Sequence, residues 1–222
     1  MAVAFAMRVP PPRVIRRRRF GVQCLMMADA ADEALLIVDV QQDFCPGGAL
    51  AAPGGDAIVP AVNRHIEEAR RRSLPVYASR DWHPEVTRHF TPYGGTWPVH
   101  CVQDTPGASF HAALQLPAET IVISKGDDPD QHGYSAFEGH TAAGTRLLDD
   151  LRARGIRRLY VAGIATDYCV RATVLDGLQA GLQVDVLRDA ITGIDLRPGD
   201  TDGALNEMTR AGAQIVERLR SA

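Results

Sequence analysis

Lysine is almost missing from this sequence. Of its 24 basic side chains 23 are arginine, and the single lysine is Lys125, in "VISKGDDPD". Plain positive charge is supplied by arginine, so Lys125 needs its own explanation: an ammonium is a compact donor whose pKa moves with its surroundings, whereas a guanidinium stays charged. Long apolar runs are missing too. None approaches the ~18 residues of a membrane span, and with 45% hydrophobic and 23% charged residues the chain reads as a globular protein. The four cysteines, at 24, 45, 101 and 169, form no CxxC pair and no zinc-finger spacing. That argues against a disulfide framework and leaves each as a small hydrophobe or a reactive thiol. There is no internal repeat and no GxGxxG or GxxxxGK[ST] phosphate loop.

The net charge of -3 conceals an asymmetry. Residues 1–27 carry six arginines and no acid, leaving 18 basic against 27 acidic residues in the remainder. An acidic body is a poor nucleic-acid binder. The segment "RRRF" and the short apolar stretch after it have the outline of a twin-arginine export signal, but the stretch is short and interrupted. "MADAADEALLIVDV" makes a natural beginning at Met27. Residues 1–33 are therefore read as a flexible Arg-rich extension or an overlong gene start, and residues 34–222 as a single domain of a cytoplasmic protein.

Within that domain, short β-branched runs alternate with amphipathic stretches. The runs cover 34–40, 74–80, 120–125, 157–164, 182–188 and 213–219, and helix-like stretches fall at 56–73, 140–154, 166–180 and 199–211, several closed by glycine (Gly155, Gly181, Gly212). Nearly continuous apolar strands predict a mostly parallel, about six-stranded sheet covered on both faces, a three-layer α/β/α domain. Ligands in such sheets bind beyond the carboxyl ends of the strands. Those ends carry Asp39, Asp81, Lys125 and the turn "ATDYC" with Cys169. The long non-periodic connection 81–119 is of a length that is usually functional.

Cys169 stands where a strand passes into the helix "TDYCVRATVLDGLQAG", with Thr166 or Asp167 as N-cap. Backbone N–H groups and the helix dipole lower a thiol pKa from ~8.5 and can hold an oxyanion, which makes Cys169 a candidate nucleophile; a buried packing residue is the alternative. Asp39 lies in an apolar strand, where a carboxylate needs a partner, either a loop backbone, an arginine or Lys125. A cation between Asp39 and Cys169 stabilises carboxylate and thiolate together, and Asp39 could then take the thiol proton and deliver it to a leaving amine. A second cluster is "DWHPEVTRHF" with "TWPVHC". Asp81 and His83 at i, i+2 point one way in an extended segment, and His89 and His100 can close on them, a donor set that suits Zn, Fe or Mn; solvated loop histidines are the alternative. His65, His111, His132 and His140 read as surface or polar-network residues, Arg70, Arg71 and Arg72 as a solvated helix end, and Trp82 and Phe90 as loop packing.

Together "LLIVDVQQDFCPGGAL", "SRDWHP", "WPVHCVQDTPGASFH", "VISKG", "YSAFEG" and "VAGIATDYCVRATVLDGLQAGLQVDVLRDA" resemble the nicotinamidase/pyrazinamidase group of the isochorismatase-like cysteine hydrolases, over roughly residues 34–218. The resemblance implies a Rossmann-like isochorismatase fold and an Asp39–Lys125–Cys169 triad that hydrolyses nicotinamide, and by extension pyrazinamide, to nicotinate and ammonia through a thioester, in NAD salvage. It also implies one divalent metal on Asp81, His83 and His100, with His89 a ligand in some members. An oxyanion hole falls on Ala165 and Cys169, a cis peptide on Ile164–Ala165, and ring-pocket walls on Phe44, Trp97 and Tyr134. The expected partner is a small-molecule amide, with no nucleic acid or membrane, in a monomer or homo-oligomer. Two features depart from the pattern. "HPEVTRH" sets the second loop histidine six residues after the first rather than four, which leaves the role of His89 open, and the segment after Lys125 is unusually acidic. Amidases of the same fold that act on ureido or carbamoyl substrates, and a non-catalytic ligand-binding module, are the competing readings.

Overall fold

The computed structural model describes Met1 and residues 32–220; apart from these, the extension expected over 1–33 lies outside the described residues. Six strands, β1 (Glu33–Val38), β2 (Val76–Asp81), β3 (Ile121–Lys125), β4 (Arg158–Ile164), β5 (Gln183–Thr192) and β6 (Gln214–Val216), form one sheet in the order β3-β2-β1-β4-β5-β6. Every pairing is parallel. Helices α1 (Val59–Arg71), α2 (Leu147–Ala153), α3 (Arg171–Gln179) and α4 (Asp200–Ala211) connect them.

The apolar run of β1 explains its central place. Ala34 to Val38 are fully buried, with Leu35 and Ile37 in one core layer and Ala34, Leu36 and Val38 in the other. Alternation at period two thus feeds both faces of one strand. α1 covers the first layer with Val59, Val62, Ile66 and Ala69, a 3-4-3 spacing that makes one apolar stripe. Chain order reverses between β1 and β4, the switch point where the carboxyl ends of strands open a crevice. At Gly163 a Cβ would lie 1.9 Å from the carbonyl oxygen of Val38, so only glycine lets β4 press this closely on β1.

All six expected strands are present; the helices depart in two places. Residues 140–146 do not join α2. Instead His140 exchanges backbone hydrogen bonds with Ser124 (2.9 and 3.0 Å), covering part of the β3 edge. The stretch 166–180 begins with a single π turn, Thr166–Val170, before α3. Neither Thr166 nor Asp167 caps it: the N-cap position is Ala165, without a side-chain cap. The Asp167 carboxylate instead turns to the backbone of Ile194 and Asp195.

Candidate active site

The sheet delivers the reactive groups to one place. Asp81 and Lys125 are register partners at the ends of β2 and β3, so their side chains share a face. Asp39 follows β1 directly, at φ 50°, and Cys169 sits in the π turn after β4, itself preceded by a cis Ile164–Ala165 peptide. The acceptor and sulfur atoms of Asp39, Asp81 and Cys169 lie within 4.8 Å of one another. Into their midst reaches Lys125, with no solvent exposure.

The three ammonium hydrogens of Lys125 have three acceptors: Asp81 Oδ1, the Gly133 carbonyl at 2.8 Å and Cys169 Sγ at 3.6 Å. Asp39 Oδ2 is 2.8 Å from Nζ as an ion pair, and among the described residues no other donor reaches it. Oδ1 accepts one from the Ser79 hydroxyl at 2.7 Å. One oxygen of Asp39 is thus anchored, and the other keeps its acceptor capacity in the presence of the thiol.

Protonation follows from burial and charge. Burial, opposed by Lys125 and reinforced by Asp81, raises Asp39 to about 6. Burial also pushes Asp81 upward, but Lys125 and the imidazoles of His83 and His100 outweigh it and hold this carboxyl well below the usual range. Lys125 loses basicity through burial and regains more from Asp39 and Asp81, so it stays an ammonium. The Cys169 thiol is driven well up by burial and by the two carboxylates, against the pull of Lys125. This is opposite to the expected lowering of the thiol, because burial beside two carboxylates disfavours the thiolate. Cys169 rests as a thiol and needs a base at the moment of attack.

His83, His89 and His100 form the second cluster, with ligating nitrogens within 4.8 Å of one another. His83 Nδ1 donates to the Gly126 carbonyl (2.8 Å) and His100 Nδ1 to that of Pro98 (2.7 Å). These bonds turn both Nε2 lone pairs toward Asp81 Oδ2, at 3.6 and 3.8 Å. His83 Nε2 and His89 Nδ1 are buried without a hydrogen-bond partner among the described residues. Orphaned nitrogens beside a carboxylate oxygen, with the Gly126 and Pro98 carbonyls fixing the tautomers, fit a divalent transition metal. The Asp39, Asp81 and Cys169 group does not fit one, because the Lys125 ammonium already occupies it. Phe90, read as loop packing, meets His83, His89 and His100 at 5.3 to 6.0 Å between ring centroids and holds the cluster together.

Between the two clusters lies a narrow pocket. Phe44, Trp97 and Tyr134 line it with Asp81, His89, His100, Ala165 and Cys169. Trp97 Nε1 donates to the Tyr134 hydroxyl at 2.9 Å. Leu50, Tyr168 and Ile194 complete the wall. None of these three is singled out by the sequence, although Ile194 lies just past β5, where the strand-end rule points. A roomier cleft of about 730 Å3, around Arg70, Leu74, Ile121 and Ile156 at the opposite end of the sheet, contains none of this chemistry. His65 pairs with Asp189 (2.7 Å) and His140 with Asp127 (2.9 Å), polar-network roles as expected.

Residues 33–218 match the model of the isochorismatase domain. The chain belongs to the isochorismatase family. Within it, the chain is 42% identical to the nicotinamidase of Escherichia coli, over 82% of this chain and 93% of that protein. It is 44% identical to the nicotinamidase/pyrazinamidase of Mycobacterium tuberculosis, over 82% and 97% respectively. The pyrazinamidase of Pyrococcus horikoshii, solved in complex with zinc, superposes with a TM-score of 0.78 at 48% identity, covering 84% of this chain and 99% of that one. The family fold is therefore this fold, a parallel six-stranded α/β sheet.

Proposed function

We propose that this chain is a metal-containing cysteine amidase that hydrolyses nicotinamide, and pyrazinamide, to the acid and ammonia, as part of NAD salvage. The observation that carries the reading is the meeting of a buried Asp39–Lys125–Cys169 cluster and an Asp81–His83–His89–His100 cluster on one narrow aromatic pocket. The relatives named nicotinamidase and pyrazinamidase support the substrate class.

Phe44, Trp97 and Tyr134 hold the ring by stacking and exclude water. Asp39, through Oδ2, takes the Cys169 proton as the sulfur attacks the carboxamide carbon. Backbone N–H groups of Ala165 and Cys169 receive the developing oxyanion. Asp39 returns the proton to the nitrogen as the C–N bond breaks, ammonia leaves, and a thioester remains on Cys169. A water then gives a proton to Asp39 and its oxygen to the acyl carbon; the acid departs and the thiol is restored. Lys125 stays charged throughout, which keeps two neighbouring carboxylates and a passing thiolate compatible in a dry site. Asp81, His83 and His100, with His89 as a further donor, would hold zinc, iron or manganese, which when bound supplies a Lewis-acid contact for a ring nitrogen.

The test is ammonia release from nicotinamide and pyrazinamide by purified, metal-replete protein. Cys169→Ala should abolish it and Asp39→Ala should remove most of it. Activity surviving in Cys169→Ala would sink the covalent route, and none in the wild type would sink the function.

A further inference from the structure

We propose that Asp167 is a positioning residue that sets the size limit of the pocket by fixing Ile194. This deepens the amidase reading and rests on it. Asp167 is buried inside the π turn, two residues before Cys169, and it is not used by the chemistry. Its oxygens accept from two successive backbone groups, Oδ1 from Ile194 N–H at 2.9 Å and Oδ2 from Asp195 N–H at 2.8 Å. Its partners among the described residues are these backbone groups and not a cation, and burying a carboxylate in that way is costly where packing alone would be served by a neutral side chain. The two bonds it makes are charge-assisted, so the turn after β5 is tied to the nucleophile turn.

The tie is tightened from the other side. Asp195, at φ 51°, accepts from Thr201 N–H (2.8 Å) and from the Thr201 hydroxyl (2.9 Å). Gly193 is wedged beneath: a Cβ there would stand 1.9 Å from Thr201 Oγ1 and 3.1 Å from Asp167 Oδ1. Held between these contacts, Ile194 presents its side chain to the pocket that also contains Cys169. The pocket wall beside the thiol is therefore set by a carboxylate on the thiol's own turn. The pocket is narrow where Ile194 lines it, so the ligand class that this wall selects is a small, flat heteroaromatic amide.

Steady-state kinetics on the full chain test this, with nicotinamide, pyrazinamide and ring-methylated nicotinamides as substrates. In Asp167→Asn one of the two N–H groups loses its acceptor; KM for nicotinamide should rise about tenfold, the size of one charge-assisted hydrogen bond, with kcat within about twofold. Ile194→Ala should raise KM similarly and bring the methylated amides closer to nicotinamide in kcat/KM. In the double variant the KM effects should not add, since one acts through the other. Should Asp167→Asn not fold, Gly193→Ala displaces the same turn and takes its place in the cycle. Additive effects, an unchanged amide preference in Ile194→Ala, or a fall in kcat at constant KM would each overturn the role of Asp167. A wild type that releases no ammonia overturns the function instead, so the two failures are distinct.

Discussion

Asp81 and Lys125 face each other in register on neighbouring strands, and the ammonium donates to Oδ1 of Asp81 while Oδ2 of the same carboxylate faces the histidines. One lysine therefore serves both clusters. It balances Asp39 beside the thiol and holds Asp81 ready to ligate through its other oxygen.

Lys125→Arg should be severely damaging although charge is conserved. A planar fork cannot replace a compact ammonium among Asp39, Asp81, Gly133 and Cys169 in a site with no solvent. Mispairing a buried charge costs ~3–5 kcal/mol, and if that falls on the transition state kcat/KM drops by about two to four orders of magnitude. Metal content, measured on the same sample, should fall as well. Wild-type rate with wild-type metal content would remove this account of the lone lysine.

Gly126→Ala should weaken metal binding without touching a ligand. At φ 70°, a Cβ would lie 2.4 Å from Cε1 and 2.7 Å from Nδ1 of His83, whose orientation depends on the Gly126 carbonyl. Losing the hydrogen bond that orients a ligating imidazole reduces affinity by about 10–100-fold. Equilibrium dialysis against zinc gives the number, and unchanged affinity would show that the His83 ring has room to move.

Acid should switch off activity before it unfolds the protein. Asp39 titrates at about 6, so kcat/KM should drop about tenfold per pH unit below that value as the base takes up a proton. The linkage sign is opposite for stability. A carboxyl whose folded pKa lies above its ordinary 3.8 costs stability when ionised, and that cost is relieved as pH falls through about 6 toward 4. Between pH 7 and 5 the thermal midpoint should therefore not follow the fall in rate. Loss of circular dichroism in step with activity would assign the acid limb to unfolding.

Chelation should leave a folded, inactive protein. His83, His89 and His100 lie in the connection between β2 and β3, outside the strands and helices that build the sheet and its covering layers. Metal added back at about 1,000 times its Kd should raise stability by about 4 kcal/mol and restore ammonia release. A chelated protein that still turns over nicotinamide would exclude the cluster from substrate binding.

Much of this was legible along the chain. Apolar runs at period two, glycines past helix ends and reactive residues at strand ends are local patterns, and Asp39, Asp81, Lys125 and Cys169 stand where those patterns put them. His89 was legible as a candidate whose role stayed open, because its spacing from His83 differs from the commoner pattern; the loop closing through the Phe90 and Trp97 backbones brings it to its partners. Thr166 and Asp167 look alike as caps, yet Asp167 faces a turn 27 residues later.

By itself, the sequence determined the element alternation, the one position where lysine replaces arginine, and the residue types available for amide chemistry. Tertiary structure alone decided that β2 lies beside β3 so that Asp81 meets Lys125, that desolvation keeps Cys169 a thiol, and that Ile194 walls the pocket. The reason is physical. Propensity and periodicity act over a few residues, whereas register, burial and dielectric arise from segments that meet only after the chain has packed.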